Sequence, residues 1–595
     1  MRSQRTLISV VVAFCLAVLP VGVWGYGGTG TAEDPYLIYT AEEMNAIGLN
    51  PQDWDKHFRL MEDIDLAAYA GNQFNLIGLQ RTAQDPNEIL EVPFSGVFDG
   101  QGHTIAHFTY EVSGAEAPAE GWVEVFGLFR RVDGLNAEIR EVTLLDPNVC
   151  PAPNCTQRVG RVGALAGVLE SGVISRCHVK GGNVRGDALT GGLVGVVSRR
   201  ASGDPPELSP TIVSCSTNCQ VGRAPQRSFV EVEGADRVLH RYYGGVAGLN
   251  RGIISDCNAT GPVSGGRYAG GLVGGNGADI VDCQAAGAVS GESALGGLAG
   301  EVSYGTIAFS WAGGDVSAPN DVSEDAPSEA TRLGGLVGSC LNSTVADCYA
   351  VGHLTGHNHI GGLAGIAYDS TIERCYATGM VMADDRRAGG LVGGAESGTV
   401  ISECHAVASV AVPSFGGGLV GFNGGTIRAS WAGGSVSGDS SIGGLVGEQW
   451  KWIGSFGEYT IEYGGTAVDC YALTRVICET AQGGGLVGAN RGGTVLRCFA
   501  AGEVLGFEEI GGLIGAEYEG YPSQVDQSFW DCEATGLNAS ARGSGLSTAE
   551  MQNRATYVEA GWDFTEETAN GTEDIWWILE GQDYPRLWWE HVAEE

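Results

Sequence analysis

A five-residue glycine phrase, GGLVG and its close variants, occurs twelve times in this chain and constrains its fold more than any other feature. Successive copies usually begin at a nearly constant short interval, as from Gly244 to Gly270 and on to Gly296, and the three longer steps are one period plus an insertion. A fixed period of this length predicts a stacked solenoid, in which each coil buries its apolar face only against its neighbours. The phrases begin at Gly163, Gly191, Gly244, Gly270, Gly296, Gly334, Gly361, Gly389, Gly417, Gly443, Gly484 and Gly511.

A single coil can be read from STIERCYATGMVMA, residues 370–383. Cys375, Ala377 and Val381 share one parity, as expected of a strand with an apolar inward face. Ile372 breaks parity with Cys375, which predicts a bend or bulge between them. With GGLVG as a further strand, each coil would hold two or three short parallel strands. The sequence therefore predicts an all-β fold, a parallel β-solenoid (β-helix) for which we expect right-handed coiling, with short helical elements near both ends.

A column of small residues follows the glycine phrases at a nearly constant offset, as Cys375 follows Gly361 and Cys404 follows Gly389. Cysteine fills this slot on most coils, and serine takes it on three others. Free cysteine packs as a compact apolar residue, so the interchange predicts a buried column and not a set of disulfide-bonded pairs. The column comprises Cys177, Cys215, Cys257, Cys283, Ser310, Cys348, Cys375, Cys404, Ser430, Cys470, Cys498 and Ser528.

Two cysteine pairs are close in sequence and lie in loop-like text. Cys150 with Cys155, and Cys215 with Cys219, could each close a small disulfide loop in an oxidising compartment, or could remain free. A zinc site at either pair is the weaker interpretation, because neither has a matching second pair nearby.

The N-terminus of the chain reads as an export signal. Arg2 and Arg5 precede an apolar run from Leu7 to Leu19, and small residues follow near Gly25. A lipoprotein interpretation of Cys15 is disfavoured because bulky Phe14 stands where a lipobox needs a small residue. We therefore expect a signal peptide over 1–25 and a secreted or cell-surface protein, with no membrane span in the mature chain.

The remaining chain divides into three segments by composition. We expect an N-terminal cap and first coils over 26–124, solenoid repeats over 125–531, and a tryptophan-rich capping segment over 532–595. The stretch 93–110 reads as the first coil. Capping boxes predict short helices after Thr40, paired with Glu43, and after Ser547, paired with Glu550. The aromatic residues predicted to cover the open end of the solenoid are Trp576, Trp577, Tyr584, Trp588 and Trp589.

The recurrent GGLVG unit followed by TIxxCYATGxVxG resembles the GLUG motif, which is found in repeat arrays of secreted bacterial proteins. Some of these arrays lie beside immunoglobulin-A-cleaving metallopeptidases. The resemblance extends from about Val125 to Asp531, and the opening and closing segments look similar to those that bracket such arrays in bacterial envelope proteins. It implies an extracellular scaffold or adhesive element and supplies no catalytic residues.

Two classes of enzyme would each need specific residues that can be sought in the sequence. The chain has no HExxH string for a zinc metallopeptidase. A histidine cluster, His353, His357 and His359, could hold a metal by spacing alone, but a polar corner is the simpler interpretation. A polysaccharide lyase or glycoside hydrolase of parallel β-helix type would need paired carboxylates on neighbouring coils. The outward acids before the column are Asp256, Asp282, Asp347, Glu403 and Asp469, with Arg176, Arg374 and Arg497 on other coils, and Asp99 is a turn residue in FDGQGH.

The slot directly after the column forms an aromatic-rich ladder. Its members Trp311, Tyr349, Tyr376, Trp431 and Tyr471 are the predicted ligand-binding residues, because stacked rings can contact sugars. Stacking that only stabilises the sheet is the alternative. The other members of the slot are His178, Asn258, Gln284, His405 and Phe499.

The composition limits the classes of partner that this chain can bind. The formal net charge of -38 repels nucleic acid and anionic membranes, which are bound through Lys and Arg. We expect no cofactor, and weak calcium uptake by acidic insertions such as 320–329 lacks a dedicated ligand pattern. The sequence thus predicts an exported, non-catalytic repeat scaffold or adhesin-like module that binds glycans or cell-envelope proteins. The alternative is a polysaccharide-degrading β-helix enzyme.

Overall fold

The computed structural model describes residues 26–78, 80–81, 89–90, 92–112, 124–151, 159–198, 209–223, 241–318, 331–456, 459–518 and 520–591. The predicted signal peptide, Cys155 and the acidic insertion at 320–329 lie outside the described residues, so the expectations about them stay predictions. None of the described helices is long and apolar enough to span a bilayer.

Each coil contributes strands to three sheets in a fixed order. In one coil, Ala364–Tyr368 lies in sheet 1, Thr371–Glu373 lies in sheet 2, and Tyr376–Gly389 lies in sheet 3. Each strand pairs in parallel with the equivalent strand of the neighbouring coil. The predicted all-β parallel solenoid is confirmed.

The strand bounds repeat this pattern along the chain. Sheet 1 comprises Phe129–Val132, Ala166–Leu169, Val194–Val197, Ala247–Asn250, Val273–Asn276, Ala299–Ser303, Val337–Leu341, Ala364–Tyr368, Val392–Ala395, Val420–Asn423, Val446–Phe456, Val487–Arg491 and Ile514–Glu517, with Tyr459–Gly464 paired antiparallel to one of them. Sheet 2 comprises Tyr36–Ile38, His57–Leu60, Val97–Asp99, Glu138–Arg140, Val173–Ser175, Thr211–Val213, Ile253–Ser255, Asp279–Val281, Thr306–Ala308, Thr344–Ala346, Thr371–Glu373, Val400–Ser402, Thr426–Arg428, Thr466–Val468, Thr494–Leu496 and Gln524–Asp526. The sheet 3 strands that directly follow the column are His178–Lys180, Ser216–Thr217, Asn258–Ala259, Gln284–Ala285, Trp311–Ala312, Tyr349–Ala350, Tyr376–Gly389, His405–Ala411, Trp431–Gly443, Tyr471–Ala472, Phe499–Ala500 and Phe529–Asp531.

Stacking begins earlier than the sequence suggested. Sheet 2 opens with Tyr36–Ile38, which pairs in parallel with His57–Leu60, so Val97–Asp99 is its third strand and 93–110 is not the first coil. These first strands lack the glycine phrase that marks later coils, so the repeat pattern of the sequence does not include them. Sixteen strands at about 4.8 Å spacing make a rod roughly 75 Å long.

The turn from sheet 2 into sheet 3 passes through one residue in the left-handed region. Arg374 has φ of 49°, and the residue before the column takes φ between 43° and 54° on every coil from Arg176 to Gln527. This corner turns both Ile372 and Cys375 inward, where they are 0% and 1% exposed. The predicted bend between them is confirmed.

The column residues are buried and hydrogen-bonded from coil to coil. The Cys404 backbone N–H donates to Ser430 Oγ at 3.1 Å, and Ser430 Oγ donates to the Arg428 carbonyl at 2.7 Å. Cys404 Sγ likewise donates to the Ser402 carbonyl at 3.1 Å. Column side chains such as Ser310, Cys404 and Ser430 thus accept from the preceding coil and donate to their own corner. This double role explains why cysteine and serine interchange, because both are small and can donate and accept.

Cys215 and Cys219 do not form the disulfide considered from their spacing. Both thiols are free and buried, and Cys215 Sγ donates to the Val213 carbonyl as a member of the column. Cys219 packs beside Gly192, where an added Cβ would come within 2.7 Å of its sulfur.

Short helices lie near both ends, as expected. Helix α1, Ala41–Ile47, begins with the predicted Thr40 and Glu43 capping box, and its Met44 and Ile47 pack in the core. Ser547 and Glu550 form the second box, which opens helix α3, Thr548–Met551. The helix before it is α2, Cys532–Thr535, and the one after it is α4, Arg554–Glu559.

The open C-terminal end is covered differently from the prediction. The Gly512 N–H donates to the Ala539 carbonyl at 3.0 Å, and Ser540 Oγ accepts from the N–H of Ile514 at 2.8 Å. Trp530 packs against Gly512, and its indole N–H donates to the Leu537 carbonyl. Residues 530–546 therefore cover the last coil. The aromatic run expected at that end lies elsewhere, as described below.

Replacing Ser430 with alanine tests the column. Alanine removes the acceptor of the Cys404 N–H and leaves that donor buried, so we expect a loss of about 1–3 kcal/mol in the free energy of unfolding. Ser430→Cys keeps both hydrogen-bonding roles and should cost clearly less. Urea denaturation of the two variants measures the difference. Equal losses would show that the hydrogen bond contributes nothing beyond volume.

Candidate functional site

The slot after the column forms a continuous stack of seven rings. The centroid distances between neighbours run from 4.8 to 5.8 Å, and the interplanar angles are 12° or less. Parallel pairing fixes this alignment, because Tyr349 pairs with Tyr376 and Tyr376 pairs with His405 in the sheet register. The stack comprises Trp311, Tyr349, Tyr376, His405, Trp431, Tyr471 and Phe499.

The stack exposes ring edges more than ring faces. Rings that lie parallel at about the coil spacing cover one another's faces, and such offset stacking contributes about 0.5–1.5 kcal/mol per pair. Tyr349 and Tyr376 are only half-buried, so their edges and hydroxyls reach solvent. Trp311 begins the stack and pairs with Gln284 of the preceding coil, so one face of its indole meets no aromatic neighbour within the stack. Stacking between coils is therefore part of the role of these residues, and ligand binding stays a prediction.

The tryptophan-rich C-terminal segment lies over the later half of the stack and not over the end of the solenoid. Trp576 lies 6.3 Å from the Tyr471 ring and 6.2 Å from Phe499, and Trp589 lies 5.9 Å from His405. Tyr471 and Phe499 are fully buried as a result. The segment packs on the stack because several successive rings form an apolar strip there. The end of the solenoid is not available to it, since residues 530–546 already cover the last coil.

Polar contacts fix the docked segment in register. Tyr471 Oη donates to Glu590 Oε2 at 2.7 Å and accepts from Arg586 Nη1 at 3.0 Å. Tyr584 Oη donates to Asp531 Oδ2 at 2.8 Å. Burial raises the pKa of Glu590, although the Leu587 N–H and Tyr471 oppose the change. The predicted binding residue Tyr471 is therefore occupied by the chain's own C-terminal segment.

A cleft opens where the docked segment ends and the exposed part of the stack begins. It has a volume of about 270 Å³. The Trp588 and Trp589 indoles line one side, Tyr376 and His405 line the other, and Arg374 and Glu403 lie at its corner. Trp588 is 47% exposed. We call this the boundary cleft; its lining residues are Arg374, Cys375, Tyr376, Glu403, His405, Trp588 and Trp589.

The outward acids considered as catalytic groups occupy the left-handed corners. Several form ion pairs or hydrogen bonds between coils: Arg374 binds Asp347 through two bonds of 2.7 and 2.8 Å, and Arg497 binds Asp469 at 2.6 and 2.7 Å. The Arg374 guanidinium holds the pKa of Asp347 below its usual value. Among the described residues, Glu403 has no ion pair or hydrogen bond from its side chain. The paired corner charges therefore join neighbouring coils.

The remaining candidates are also separated. His353 Nδ1 accepts the Met380 N–H at 3.1 Å, and His357 pairs with Asp384, so they serve different contacts. His359 is 8% exposed, and burial with the nearby Arg387 charge lowers its pKa to about 3. In the described part of the chain no three metal-ligating side chains cluster.

Asp99 is a structural turn residue. It accepts from the Gln101 N–H at 3.1 Å and from Arg140 Nη2 at 2.9 Å. Burial acts to raise the pKa of Asp99, but the hydrogen bonds from Arg140 and Gln101 outweigh it and lower the pKa.

Sequence reasoning missed the boundary cleft and the docked segment. The aromatic slot and the C-terminal tryptophans were both visible, and a covering segment needs an apolar strip. The apolar strip that the C-terminal segment covers is set by the edge of the solenoid that the chain reaches after residue 546. No local sequence pattern encodes that edge.

The comparisons with known proteins agree with the repeat. The model of the GLUG motif family matches residues 356–381, which include the Gly361 phrase and Cys375 of the column. The resemblance noted from the sequence is therefore confirmed for this coil.

Relatives cover only parts of the chain. A provisionally named Gly-rich membrane protein of Evansella cellulosilytica is 38% identical over 120 residues, which are 19% of this chain and 13% of the relative. Halomucin of Haloquadratum walsbyi is 30% identical over 176 residues, which are 30% of this chain and 2% of its own length. The chain thus spans a small fraction of both.

A solved structure shows a weaker likeness. The crystal structure of a provisionally named immunoglobulin A1 protease from Bacteroides ovatus has a TM-score of 0.35 and 22% identity. It covers 51% of this chain and 83% of its own.

Tyr471→Phe tests how the C-terminal segment is held. The change deletes one hydroxyl and leaves Glu590 and Arg586 without a shared partner, so we expect a loss of about 1–3 kcal/mol in the free energy of unfolding. Tyr349→Phe is the matched control within the same stack and should stay within about 0.5 kcal/mol. Thermal denaturation compares them. Equal stabilities would contradict the role assigned to this hydroxyl.

His405 makes the stack sensitive to acid. Burial lowers the pKa of His405 from 6.5 to about 4. Between these values the unfolded chain binds a proton that the folded chain does not, so stability is full above pH 6.5 and falls as the pH drops towards 4. Because the ring is partly exposed, the loss should not exceed about 1 kcal/mol.

The matched variant is His405→Phe, which places at this position the residue that Phe499 supplies in the same slot. The stability difference between about pH 7.5 and about pH 5 should shrink in this variant. An unchanged difference would show that His405 does not titrate as described.

Proposed function

We propose that this GLUG-motif chain is an exported, non-catalytic repeat scaffold that displays a glycan-binding surface on a rigid rod. The observation that carries the proposal is the coil-to-coil use of the repeated side chains. The column, the corner charges and most of the aromatic stack bond to their own neighbours, so the repeat builds the rod. Ligand binding is then expected where the aromatic stack is exposed to solvent.

The boundary cleft is the part of the stack best suited to a ligand. Trp588 presents an exposed indole beside the Tyr376 edge, and Glu403 supplies a carboxylate without a protein partner in the described residues. An aromatic wall with an acceptor at its side matches a sugar ring, which has apolar faces and a hydroxyl rim. Trp311, Tyr349 and Tyr376 extend the contact along the rod, whereas Trp431 and Tyr471 lie beside or beneath the docked segment.

One sequence feature and one relative support export and a surface location. The predicted signal peptide directs the chain out of the cytoplasm. One relative is named as a membrane protein, although it shares only 19% of this chain. The candidate partners are glycans or cell-envelope proteins, and the net charge of -38 disfavours anionic ones.

A polysaccharide panel tests the proposal. The mature chain should bind at least one neutral polysaccharide without releasing reducing ends or unsaturated products. Trp588→Ala should weaken this binding with little change in melting temperature, since the side chain is half exposed. Tyr521→Ala, an exposed tyrosine outside the stack, is the control. Turnover of any polysaccharide would overturn the non-catalytic assignment. Full binding by Trp588→Ala would overturn the assignment of the boundary cleft as a binding site.

A further inference from the structure

One coil departs from the repeat by placing large aromatic residues at both of its left-handed corners. Tyr304 has φ of 58° and is 76% exposed, and Phe309 has φ of 50° and is 61% exposed. On the following coils the slot of Tyr304 holds Asn342 and Asp369, which adopt this conformation more easily. A bulky exposed ring there stabilises neither backbone nor core. Strain of this kind points to a function outside the fold.

Tyr304 forms a wall of a second cleft, which lies in front of sheet 1. The cleft has a volume of about 500 Å³, and Phe309 does not line it. Its floor is the backbone of 275–278, and charged and aromatic side chains surround the floor. The lining residues are Tyr242, Leu249, Arg251, Gly275, Asn276, Gly277, Ala278, Glu301, Ser303 and Tyr304. We call this the tyrosine cleft.

Glycine makes room for the ring that borders the floor. Gly275 lies between Leu249 and Glu301 in the register of sheet 1. A Cβ at Gly275 would come within 2.7 Å of Tyr242 Cε1, so only glycine allows that ring to lie against the strand. The Tyr242 ring stacks on Tyr268 at 4.7 Å with an interplanar angle of 24°.

The polar groups of the cleft are held in place as well. Tyr242 Oη donates to Glu301 Oε1 at 3.3 Å, which orients the carboxylate. Burial, followed by the charge of Glu301, raises the pKa of Tyr242, so the phenol remains a donor. Arg251 lines the same cleft and offers planar N–H donors. The cleft lining therefore includes one cation, one carboxylate and two aromatic rings.

We propose that the tyrosine cleft binds a short neutral oligosaccharide. Pyranose rings have apolar C–H faces that pack on aromatic rings, and their hydroxyl pairs hydrogen-bond to carboxylate and guanidinium groups. Arg251 and Glu301 cancel in charge, and the chain as a whole carries a net charge of -38, so an anionic glycan would be repelled. The site joins residues of sheet 1 to Tyr242 of the sheet 3 strand Tyr242–Gly244, and none of its lining residues belongs to the aromatic stack. It does not rest on the proposed function of the boundary cleft.

Calorimetric titration of the mature chain with cellotetraose, mannotetraose and chitotetraose tests the inference. We expect binding of at least one of them, weakened at least about tenfold by Tyr304→Ala, since loss of one aromatic contact is worth about 1.4 kcal/mol. Arg251→Gln should weaken the same titration. Phe309→Ala is the matched control, because it removes an exposed aromatic from the other left-handed corner of the same coil, and it should bind as the parent does.

Each other outcome overturns the inference. No binding of the three tetrasaccharides excludes it, and so does equal weakening by Tyr304→Ala and Phe309→Ala. Binding that Trp588→Ala abolishes and Tyr304→Ala leaves intact places the sugar in the boundary cleft alone. Tyr304→Gly and Phe309→Gly should melt at or above the parent temperature, because glycine relieves the left-handed strain. A marked fall for Tyr304→Gly alone would assign the ring a structural role instead.

Discussion

The hydrogen bond across the left-handed corner is the interaction on which the rest of this structure depends. The corner turns each coil from sheet 2 into sheet 3 and takes the N–H of the column residue out of the regular backbone ladder. A thiol or hydroxyl of the next coil accepts that N–H, as Ser430 does for Cys404. A buried N–H without a partner would cost about 1–3 kcal/mol at every coil. The small polar column is therefore required by backbone geometry.

The aromatic stack follows from the same corner. Once the column residue is fixed inward, the next side chain must point outward and lies directly beside its equivalent on the neighbouring coil. Rings in that slot can only stack, and they do so at close to the coil spacing. The stack creates an apolar strip along the rod, and the C-terminal segment covers its later half through Trp576 and Trp589. The exposed remainder ends at the boundary cleft.

The residues that repeat from coil to coil differ from the residues proposed to bind a ligand. The residues that recur on every coil are used between coils, including the ion pair of Arg374 with Asp347. The exposed aromatic rings proposed for binding occur where the repeat is broken, at Trp588 of the docked segment and at Tyr304 in a corner that the two following coils give to Asn and Asp. A solenoid can tolerate such local departures because each coil contacts only its neighbours. Function can then be placed on a single coil without disturbing the rod.

The sequence by itself determined the parallel solenoid, the inward column, the bend before Cys375 and both capping boxes, because each follows from a local period or a local hydrogen bond. It also showed which residues would share the aromatic slot. Only the tertiary structure decided that Tyr471 is covered while Tyr376 is not, that Cys215 and Cys219 stay apart, and that Tyr304 and Tyr242 face one cleft. These outcomes depend on which distant segments meet: a chain that returns from residue 546 to coils 405–529, and side chains on coils that are well separated in sequence. No period within one coil encodes such meetings, since they are settled by packing between separate parts of the rod.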